Sequence, residues 1–548
     1  MMHWRQLAIV SARRLLARSV LVFAVLLLPA CGGGKSNDRI ANTRQPLVLT
    51  RSLSGQPGSL DPQKAEDAFS YDVLRDLYEG LTASAPNGEV VPAAATSWRI
   101  EQGGRVYVFT LRREARWSNG DPVTASNFVD GFRRAVDPST GAGAADLLRS
   151  IENAPDILAG RLPPSRLAVT AVDENTLEIR LSNALPYFPD ILTNTVASPV
   201  HPSSANNPGG FAKPGQTVSN GPYVLAAVAP GANMRLTRNQ RYWDAAAVAY
   251  DEVHYEFVAD ENAEFMRFRA GQTDVTNSVP EQRFQELLAT PGSGLQHRAT
   301  LATFYFTLNT DHGPLRGKRG LREALSLVVD RQAIADSVAR AGQVPAFSLV
   351  PDDVWNYEPA FYDWSKAGKE ERIARARKLY AAAGYSRVRP LRVRMLYNEN
   401  ELVQRVCIAI AAMWKEALGI ETELMQMEFK AYLASRADPS QWDVVRVGWT
   451  ADYNDASSFL DTMTQGSPQN FGHWASADYA RLLDSAATET DPAKRRAMLQ
   501  QAESLMLSDY PLLPVYYYVT RRLVQPRVAA PAINPMNRTY SKYFRPAE

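Results

Sequence analysis

Apolar and polar residues alternate in several short segments of the chain, as expected for strands with one buried face. This pattern predicts strands at 106–111, 253–257, 302–309, 391–397, 421–427 and 443–450. Elsewhere apolar residues recur every three or four positions, which predicts helices at 320–340, 370–383 and 400–418. Gly384 and Gly419 follow the last two of these helices and are expected to end them.

The order of the predicted elements indicates the fold class. Thr124 is placed to cap a further helix that follows the 106–111 strand. Because strands and helices alternate along the chain, we predict an α/β architecture. A chain of 548 residues exceeds what one hydrophobic core supports, so two or three lobes are expected. Stretches rich in Pro and Gly at 202–222 and 341–360 mark loops or lobe boundaries.

The segment 443–455 carries the clearest indication of a binding site. Its alternating run ends at Thr450 and leads into a polar turn, the kind of strand end that often presents recognition groups. Trp449 supplies an aromatic wall, Asp452 a carboxylate for a cation, and Arg446 a guanidinium for an anion. This combination suits a zwitterionic ligand such as a peptide. A strand end with a solvated acidic turn is the alternative interpretation.

The N-terminus has the features of an export signal. Basic residues precede an apolar run at 20–28 that is too short for a comfortable membrane span. The motif at 28–32, Leu-Pro-Ala-Cys-Gly, resembles a bacterial lipoprotein signal. This resemblance implies a signal peptide over 1–30, an acylated Cys31 and a flexible tether over 31–45. A plain signal peptide followed by an incidental cysteine is the alternative.

Charge and cysteine content exclude several classes of protein. The net charge of +2 includes four arginines and no acidic residue within 1–30, so the exported body is not basic enough to suggest nucleic-acid binding. Its 45% of hydrophobic and 22% of charged residues are typical of a globular protein. Only Cys407 remains after Cys31, which predicts a core cysteine and no internal disulfide.

Sequence signatures of catalysis are missing. The six histidines are scattered without metal-ligand spacing, and there is no Gly-x-Ser-x-Gly motif. The segment 313–319 only faintly resembles a phosphate loop and is better explained as a turn before a helix. We therefore expect no catalytic residue, no metal and no cofactor.

Several motifs spread over residues 47–548 resemble one known family. They are Ser59-Leu-Asp-Pro62, Arg75-Asp-Leu-Tyr-Glu-Gly-Leu81, Phe109-Thr-Leu-Arg112, Trp117-Ser-Asn-Gly-Asp-Pro-Val-Thr124, Ser219-Asn-Gly-Pro-Tyr223, Arg238-Asn239, Tyr242-Trp243, Ala324-Leu-Ser-Leu-Val-Val-Asp-Arg331, Gly448-Trp-Thr-Ala-Asp-Tyr453 and Pro514-Val-Tyr-Tyr-Tyr518. The chain resembles the oligopeptide-binding proteins of ABC importers, within the larger peptide- and nickel-binding solute-binding family. The last two motifs resemble the oligopeptide branch in particular.

The resemblance implies a two-lobed periplasmic-binding-protein fold with a hinge and an extra domain of the peptide-binding branch. The implied segments are lobe I at 46–78, 204–301 and 520–548, the extra domain at 79–203, and lobe II at 302–519. It also implies a lipid-anchored protein of the periplasm or cell envelope that passes oligopeptides to an ABC permease and ATPase complex. We expect a monomer that contacts the membrane only through its anchor.

Site residues follow from the resemblance position by position. Asp452 matches the residue that pairs with the ligand's α-ammonium, within a motif that also supplies Gly448, Trp449 and Tyr453. The further matches are Glu66 as a pocket carboxylate, Asn398 as a polar pocket residue, Phe429 as an aromatic wall, and Arg436 and Arg446 near the ligand's carboxyl end.

The chain also departs from its relatives. Val403 and Ala339 stand where a relative offers His and Lys to the ligand carboxylate, although Arg340 adjoins the second position. Ala144 replaces a Tyr that packs near the ligand in relatives. Ala302 and Thr450 occupy positions that form a disulfide in some of them. The amino-end anchor is therefore expected to be retained, whereas recognition of the carboxyl end is left open.

The leading functional hypothesis is capture of oligopeptides for import. Within the same fold, a receptor for cell-wall (murein) peptides or a sensory peptide-binding lipoprotein is the alternative. Nickel binding is disfavoured because the histidines are few and scattered. A cell-envelope peptidase would need a nucleophile–base pair or a metal cluster, and neither is evident in the sequence.

Overall fold

Three sheets of four or more strands organise residues 45–205 and 207–548, the part of the chain that a computed structural model describes. The strands are β1 (Val48–Leu53), β2 (Thr82–Ser84), β3 (Val90–Pro92), β4 (Ala95–Glu101), β5 (Val106–Leu111), β6 (Val169–Asp173), β7 (Thr176–Arg180), β8 (Tyr223–Ala229), β9 (Asn233–Arg238), β10 (Glu252–Phe257), β11 (Leu295–Leu308), β12 (Val344–Pro345), β13 (Arg392–Asn398), β14 (Glu421–Met427), β15 (Val444–Thr450), β16 (Leu512–Leu523), β17 (Val528–Ala529) and β18 (Arg545–Pro546). The predicted signal peptide and Cys31 anchor lie outside the described residues.

Helices of very different length connect these strands, and short 3-10 turns join many of them. They are α1 (Ala68–Leu77), α2 (Ala125–Val136), α3 (Ala154–Leu158), α4 (Phe188–Ile191), α5 (Pro202–Ala205), α6 (Glu261–Arg269), α7 (Phe284–Ala289), α8 (Arg319–Val328), α9 (Arg331–Ala333), α10 (Lys369–Ala382), α11 (Glu401–Leu418), α12 (Phe429–Arg436), α13 (Ser457–Leu460), α14 (Ala477–Thr488) and α15 (Pro492–Asp509). A π-helical turn, Ile334–Ala339, continues from α9. The α/β prediction is confirmed.

Each sheet takes part in a hydrophobic core. The first sheet has the order β1-β10-β9-β8, and the second has the order β4-β5-β7-β6. These two sheets share one cluster, which contains Leu53 and Val253 of the first sheet and Phe109 of the second. The third sheet, β12-β16-β11-β15-β13-β14, has a larger cluster of its own that includes Cys407. The prediction of Cys407 as a core residue is confirmed.

Two long strands connect the third sheet with the first. β11 and β16 pair antiparallel, but their register is interrupted between Ala299 and Thr303. Beyond this interruption, Val524 at the end of β16 bridges to Val275, which in turn bridges to β1. The predicted lobe boundaries at 301/302 and 519/520 fall within these two strands. A hinge placed here would bend two paired strands close to their irregular point, where fewer ladder hydrogen bonds oppose the motion.

Most predicted elements agree with the structure to within two residues, but the helix at 320–340 is wrong. α8 ends at Val328, because Val329 has an extended backbone and the Asp330 side chain caps the next turn by accepting from the Ala333 amide at 3.1 Å. The buried guanidinium of Arg331 donates to the carbonyls of Ser326 and Val329 at 3.1 and 3.2 Å. Carbonyls at the end of α8 therefore find donors without a continuous helix.

Candidate functional site

A groove runs along the face of β15 that carries Arg446, Gly448 and Thr450. Its larger part is a cavity of about 1010 Å³ that α1, the segment 143–147, the turn after β15 and the end of β16 surround. Its smaller part is a cavity of about 380 Å³ next to Arg446 and Gly448. The two parts are contiguous, because Thr450, Val519 and Thr520 are among the residues that line both.

The alternation of side chains along β15 decides which predicted residues face this groove. Arg446, Gly448 and Thr450 line the smaller cavity. The intervening residues point to the opposite face, as a strand requires, and Trp449 packs against the core of the third sheet. Its indole Nε1 is buried there without a hydrogen-bond partner. Trp449 lines neither cavity, and its role as an aromatic wall stays a prediction.

Gly448 keeps the groove open beside Arg446. A β-carbon at this position would lie 3.0 Å from the Tyr518 hydroxyl and 3.4 Å from Arg446 Nη2. The first of these contacts is tighter than an ordinary van der Waals distance, so a side chain would displace the Tyr518 hydroxyl. The missing side chain leaves the backbone of β15 accessible from the smaller cavity.

Asp452 lies in the turn after β15 and is exposed within the larger cavity. Its backbone N–H donates to Ser458 Oγ at 3.0 Å, which fixes the start of the turn. Across residues 45–205 and 207–548, neither an ion pair nor a hydrogen bond engages its carboxylate. The surrounding protein removes enough water to raise the pKa of this carboxyl above its usual value. The group is therefore an anion without a counter-charge.

A buried charged pair holds the Asp452 turn in place. Arg538 donates to Asp190 at 2.7 Å and to Thr193 Oγ1 at 2.6 Å, and the side chains of this ion pair are only 7% and 5% exposed. Asp190 also accepts from the backbone N–H of Asn454. Arg538 reaches the carbonyl of Asp452 itself at 3.4 Å. The residues at 190 and 538 escaped the sequence analysis because no local motif links them to the turn.

Two further contacts support the same turn. The ring of Tyr453 stacks on Tyr187 with a centroid distance of 4.2 Å and an interplanar angle of 5°, and both residues line the larger cavity. Asp455 accepts two hydrogen bonds from the buried guanidinium of Arg495, at 2.6 and 2.8 Å. A bidentate pair of this kind fixes orientation as well as distance. The turn is thus held rigidly before any ligand arrives.

Arg446 occupies the far end of the groove. Its Nη2 donates to the Tyr518 hydroxyl at 2.7 Å and its Nη1 to Asn398 Oδ1 at 3.3 Å. The guanidinium also lies 4.9 Å from the centre of the Phe304 ring. Asn398 is buried behind Arg446 and lines neither cavity, so the structure makes it a support for the arginine side chain.

The other predicted site residues lie outside the groove in this conformation. Glu66 is exposed and packs against Gly143, a residue of the larger cavity. Phe429 is 55% exposed at the start of α12. The Arg436 guanidinium is 4.2 Å from the centre of the Phe471 ring. The sequence-based placement of Glu66, Phe429 and Arg436 around the ligand stays a prediction.

The structure shows where the residues that depart from the family pattern lie. Val403 and Ala339 are buried, so neither offers a group to the groove. Ala144 lines the larger cavity, where a small side chain leaves more room. Ala302 and Thr450 lie directly opposite each other on β11 and β15, at positions where two cysteines would be neighbours.

Within 45–205 and 207–548, no group of three or more His, Cys, Asp or Glu side chains is arranged to hold a metal ion. In the same part of the chain, no helix is long and apolar enough to cross a membrane. Burial also raises the pKa of the Cys407 thiol, which makes it a poor nucleophile.

Comparison with known proteins gives closely related sequences over almost the whole chain. Residues 89–471 match the family described as bacterial extracellular solute-binding proteins, family 5 Middle. The periplasmic murein peptide-binding protein MppA and the periplasmic oligopeptide-binding protein OppA of Escherichia coli are each 35% identical to this chain, covering 90% of it and 92% of the relative. YgiS of the same organism, a probable deoxycholate-binding periplasmic protein, is 37% identical with the same coverage.

Solved structures of MppA show the same fold. The unliganded open form of MppA, a periplasmic murein tripeptide-binding protein, matches with a TM-score of 0.85 and covers 92% of this chain and 98% of its own. A second structure of E. coli MppA matches with a TM-score of 0.73. The chain has the two-lobed α/β fold of these periplasmic peptide-binding proteins and belongs to the bacterial extracellular solute-binding proteins of family 5.

Proposed function

We propose that this protein captures oligopeptides outside the cytoplasm and delivers them to an ABC transporter for import. The observation that carries this proposal is the unpaired carboxylate of Asp452 at one end of the groove. An α-ammonium group would supply the missing charge and three hydrogen-bond donors. Because the carboxylate has already lost part of its hydration, it gives up little more when a ligand cation replaces the remaining water.

The backbone of β15 supports an extended peptide as the ligand. One edge of β15 pairs with β11 from Thr450 back to Val444. Its other edge pairs with β13 only at Val444 and Val445. In the part of the chain that the structure describes, residues 446–450 have no sheet partner on this second edge. An extended peptide can bind along such an edge through main-chain hydrogen bonds, which do not depend on its side chains.

Arg446 is the proposed partner for the carboxylate of a longer ligand. From Arg446 to Thr450 the strand covers about 13 Å at about 3.3 Å per residue, and the turn adds the remaining distance to Asp452. A peptide of about four residues spans a similar length. We therefore propose a preference near this length, with the remaining predicted residues approaching the ligand only when the lobes close.

Two other ligand classes are represented among the relatives. Murein peptides are favoured by the match to MppA, which is as similar in sequence as OppA. A bile acid such as deoxycholate is suggested by the match to YgiS. Deoxycholate is an anion without an ammonium group, so the unpaired Asp452 carboxylate would repel it where it would attract a peptide.

The proposal extends to anchoring, domains and chemistry. The motif at 28–32 supports an acylated Cys31 that holds a monomer at a membrane of the cell envelope. The predicted lobe boundary near 301/302 is supported by the separate hydrophobic clusters before and after it and by the strand pair that crosses it. A transport role without catalysis is supported by family membership. A sensory protein would bind its peptide in the same groove.

Calorimetry with free and N-acetylated peptides tests the amino-end contact. Truncating one partner of a desolvated charge pair costs about 2–5 kcal/mol, or roughly 30- to 3000-fold in affinity. We expect acetylation, or Asp452→Asn with a free peptide, to cause a loss in the lower half of this range, because the carboxylate is exposed in the open groove. Combining both changes should add little, because they remove the same contact.

The control and the contrary outcomes are well defined. Asp478→Asn removes a carboxylate that is 65% exposed and lines neither cavity, and it should leave both affinities unchanged. Equal binding of free and acetylated peptides by the wild type would refute the role of Asp452. Binding of deoxycholate but of no peptide would replace the proposed ligand class.

A further inference from the structure

The charged side chains of the larger cavity do not all find partners. Six of them line it: Asp72, Arg75, Asp146, Asp452, Arg521 and Arg538. Arg75 pairs with Asp72 at 3.2 Å, Asp146 with Arg149 at 3.7 Å, and Arg538 with Asp190 at 2.7 Å. Among the described residues, this leaves one anion, Asp452, and one cation, Arg521, without an ion-pair partner.

Arg521 is a half-buried residue near the end of β16. Its contacts are weak: Nη1 lies 3.5 Å from the carbonyl of Ala341, and the guanidinium is 5.9 Å from the centre of the Phe284 ring. Glu261 and Glu281 act on it electrostatically, yet neither lies within 4.0 Å, and Glu281 already pairs with Arg405 at 2.7 Å.

The surroundings of Arg521 therefore desolvate a cation without neutralising it. Burial lowers the pKa of its guanidinium, whereas the two distant acids only partly offset this effect. A planar guanidinium with free donors is well suited to hold a carboxylate through two parallel hydrogen bonds. A carboxylate that entered the cavity would supply the charge and the acceptors that Arg521 lacks.

Arg446 differs from Arg521 in its hydrogen bonds and in the cavity that it lines. Its guanidinium already donates to Tyr518 and Asn398, and it faces the smaller cavity. Tyr518 and Arg521 lie three residues apart on β16, which corresponds to about 10 Å along a strand. The two arginines thus line different parts of the groove.

We propose that Arg521 is the cation of a carboxylate subsite in the larger cavity. This subsite binds a negatively charged group of the ligand, whereas Asp452 binds the ammonium group, and it is separate from Arg446. This inference rests on the proposed function, since it assumes a ligand whose ammonium group is at Asp452. The carboxylate comes either from the C-terminus of a short peptide or from an acidic side chain of a longer one. Arg446 then serves the C-terminus of peptides long enough to reach the smaller cavity.

A peptide panel distinguishes these two sources. Wild type, Arg521→Gln and Arg521→Lys are titrated by calorimetry with di- to hexa-alanine peptides, each as a free acid and as a C-terminal amide. A second set is based on tetra-alanine amide with Glu or Gln at each internal position. Arg481→Gln serves as the control, because this arginine is 72% exposed and pairs with Asp478 on α14.

The expected result depends on charge. Arg521→Gln should weaken binding of the ligands that carry the recognised carboxylate by about 10- to 100-fold, because a hydrogen bond to a charged group is lost. The corresponding amide or Gln ligands should bind wild type and variant equally. Arg521→Lys should recover part of the loss, which shows that the charge matters and that the fold is intact. A loss confined to short free acids identifies the C-terminus, and a loss confined to Glu peptides identifies the side chain.

Two outcomes would overturn the subsite. One is an equal loss for charged and uncharged ligands, which would make Arg521 a structural residue. The other is no loss for any ligand. If wild type binds none of these peptides, the proposed function fails as well, so the two failures are distinguishable.

Discussion

The buried pair of Asp190 and Arg538 gives a sharp test of how the Asp452 turn is held. Replacing Asp190 with Ala removes the acceptor of both Arg538 and the Asn454 backbone N–H. Arg538 keeps weaker partners in Thr193 Oγ1 and the Asp452 carbonyl, but it loses its counter-charge. The side chains of the pair are 7% and 5% exposed, so water cannot readily replace the carboxylate.

The magnitude follows from this burial. Removing one partner of a buried ion pair typically costs about 3–5 kcal/mol. We expect Asp190→Ala to lower the free energy of unfolding by about 3 kcal/mol, the lower end of this range, because two acceptors remain near Arg538. Asp190→Ala with Arg538→Met should recover much of the loss, because no uncompensated charge is then buried.

Urea unfolding followed by tryptophan fluorescence measures these differences. The matched control is Asp478→Ala, whose partner Arg481 is just as close, at 2.6 Å, but whose pair is 65–72% exposed. Exposed pairs contribute about 0–1 kcal/mol, so this variant should unfold almost as the wild type does. A loss for Asp190→Ala no larger than for Asp478→Ala would refute the reasoning. A double variant less stable than Asp190→Ala would refute it as well.

Two further predictions concern pH and anchoring. Because the pKa of the empty Asp452 carboxyl is raised, and a bound ammonium group favours its ionised form, peptide affinity should be full above that raised pKa and fall by about tenfold per unit below it. Titrations from pH 7 to 4 check this, and a profile as steep in Asp452→Asn as in wild type would contradict it. Cys31→Ser should shift the protein from the membrane to the soluble fraction after cell fractionation, whereas a wild type that is already soluble with an unmodified N-terminus would contradict the anchor.

Local patterns account for what the sequence predicted well. The period of apolar residues and the capping residues are properties of neighbours in the chain, so α2, α10, α11 and five of the six predicted strands agree closely with the structure. Thr124 forms the expected cap of α2, together with Asn127. The prediction of one helix over 320–340 was wrong because of a tertiary contact. The buried Arg331 donates to the Pro514 carbonyl at 2.7 Å, and this contact stabilises a break in the helix that no local rule predicts.

The residues of the candidate site also differ in how well the sequence predicts their positions. Asp452 could be singled out from its motif, and it lies in the larger cavity as an unpaired charge. Strict alternation along β15 would also have shown that Trp449 cannot face the groove together with Arg446 and Gly448. The prediction of an aromatic wall rested instead on the residue types of the segment 443–455.

The sequence by itself determined several of the elements, the family resemblance and the place of the Asp452 turn, because these depend on residues close together in the chain. Only the tertiary structure decided which charges are neutralised. Asp190 and Arg538 are 348 residues apart in the chain, and their ion pair neutralises the charge of Arg538 in the cavity. Arg521 remains unpaired because no acidic side chain is folded to within 4.0 Å of it among the described residues. Electrostatic complementarity to a ligand depends on distances in space, and the fold alone sets those distances.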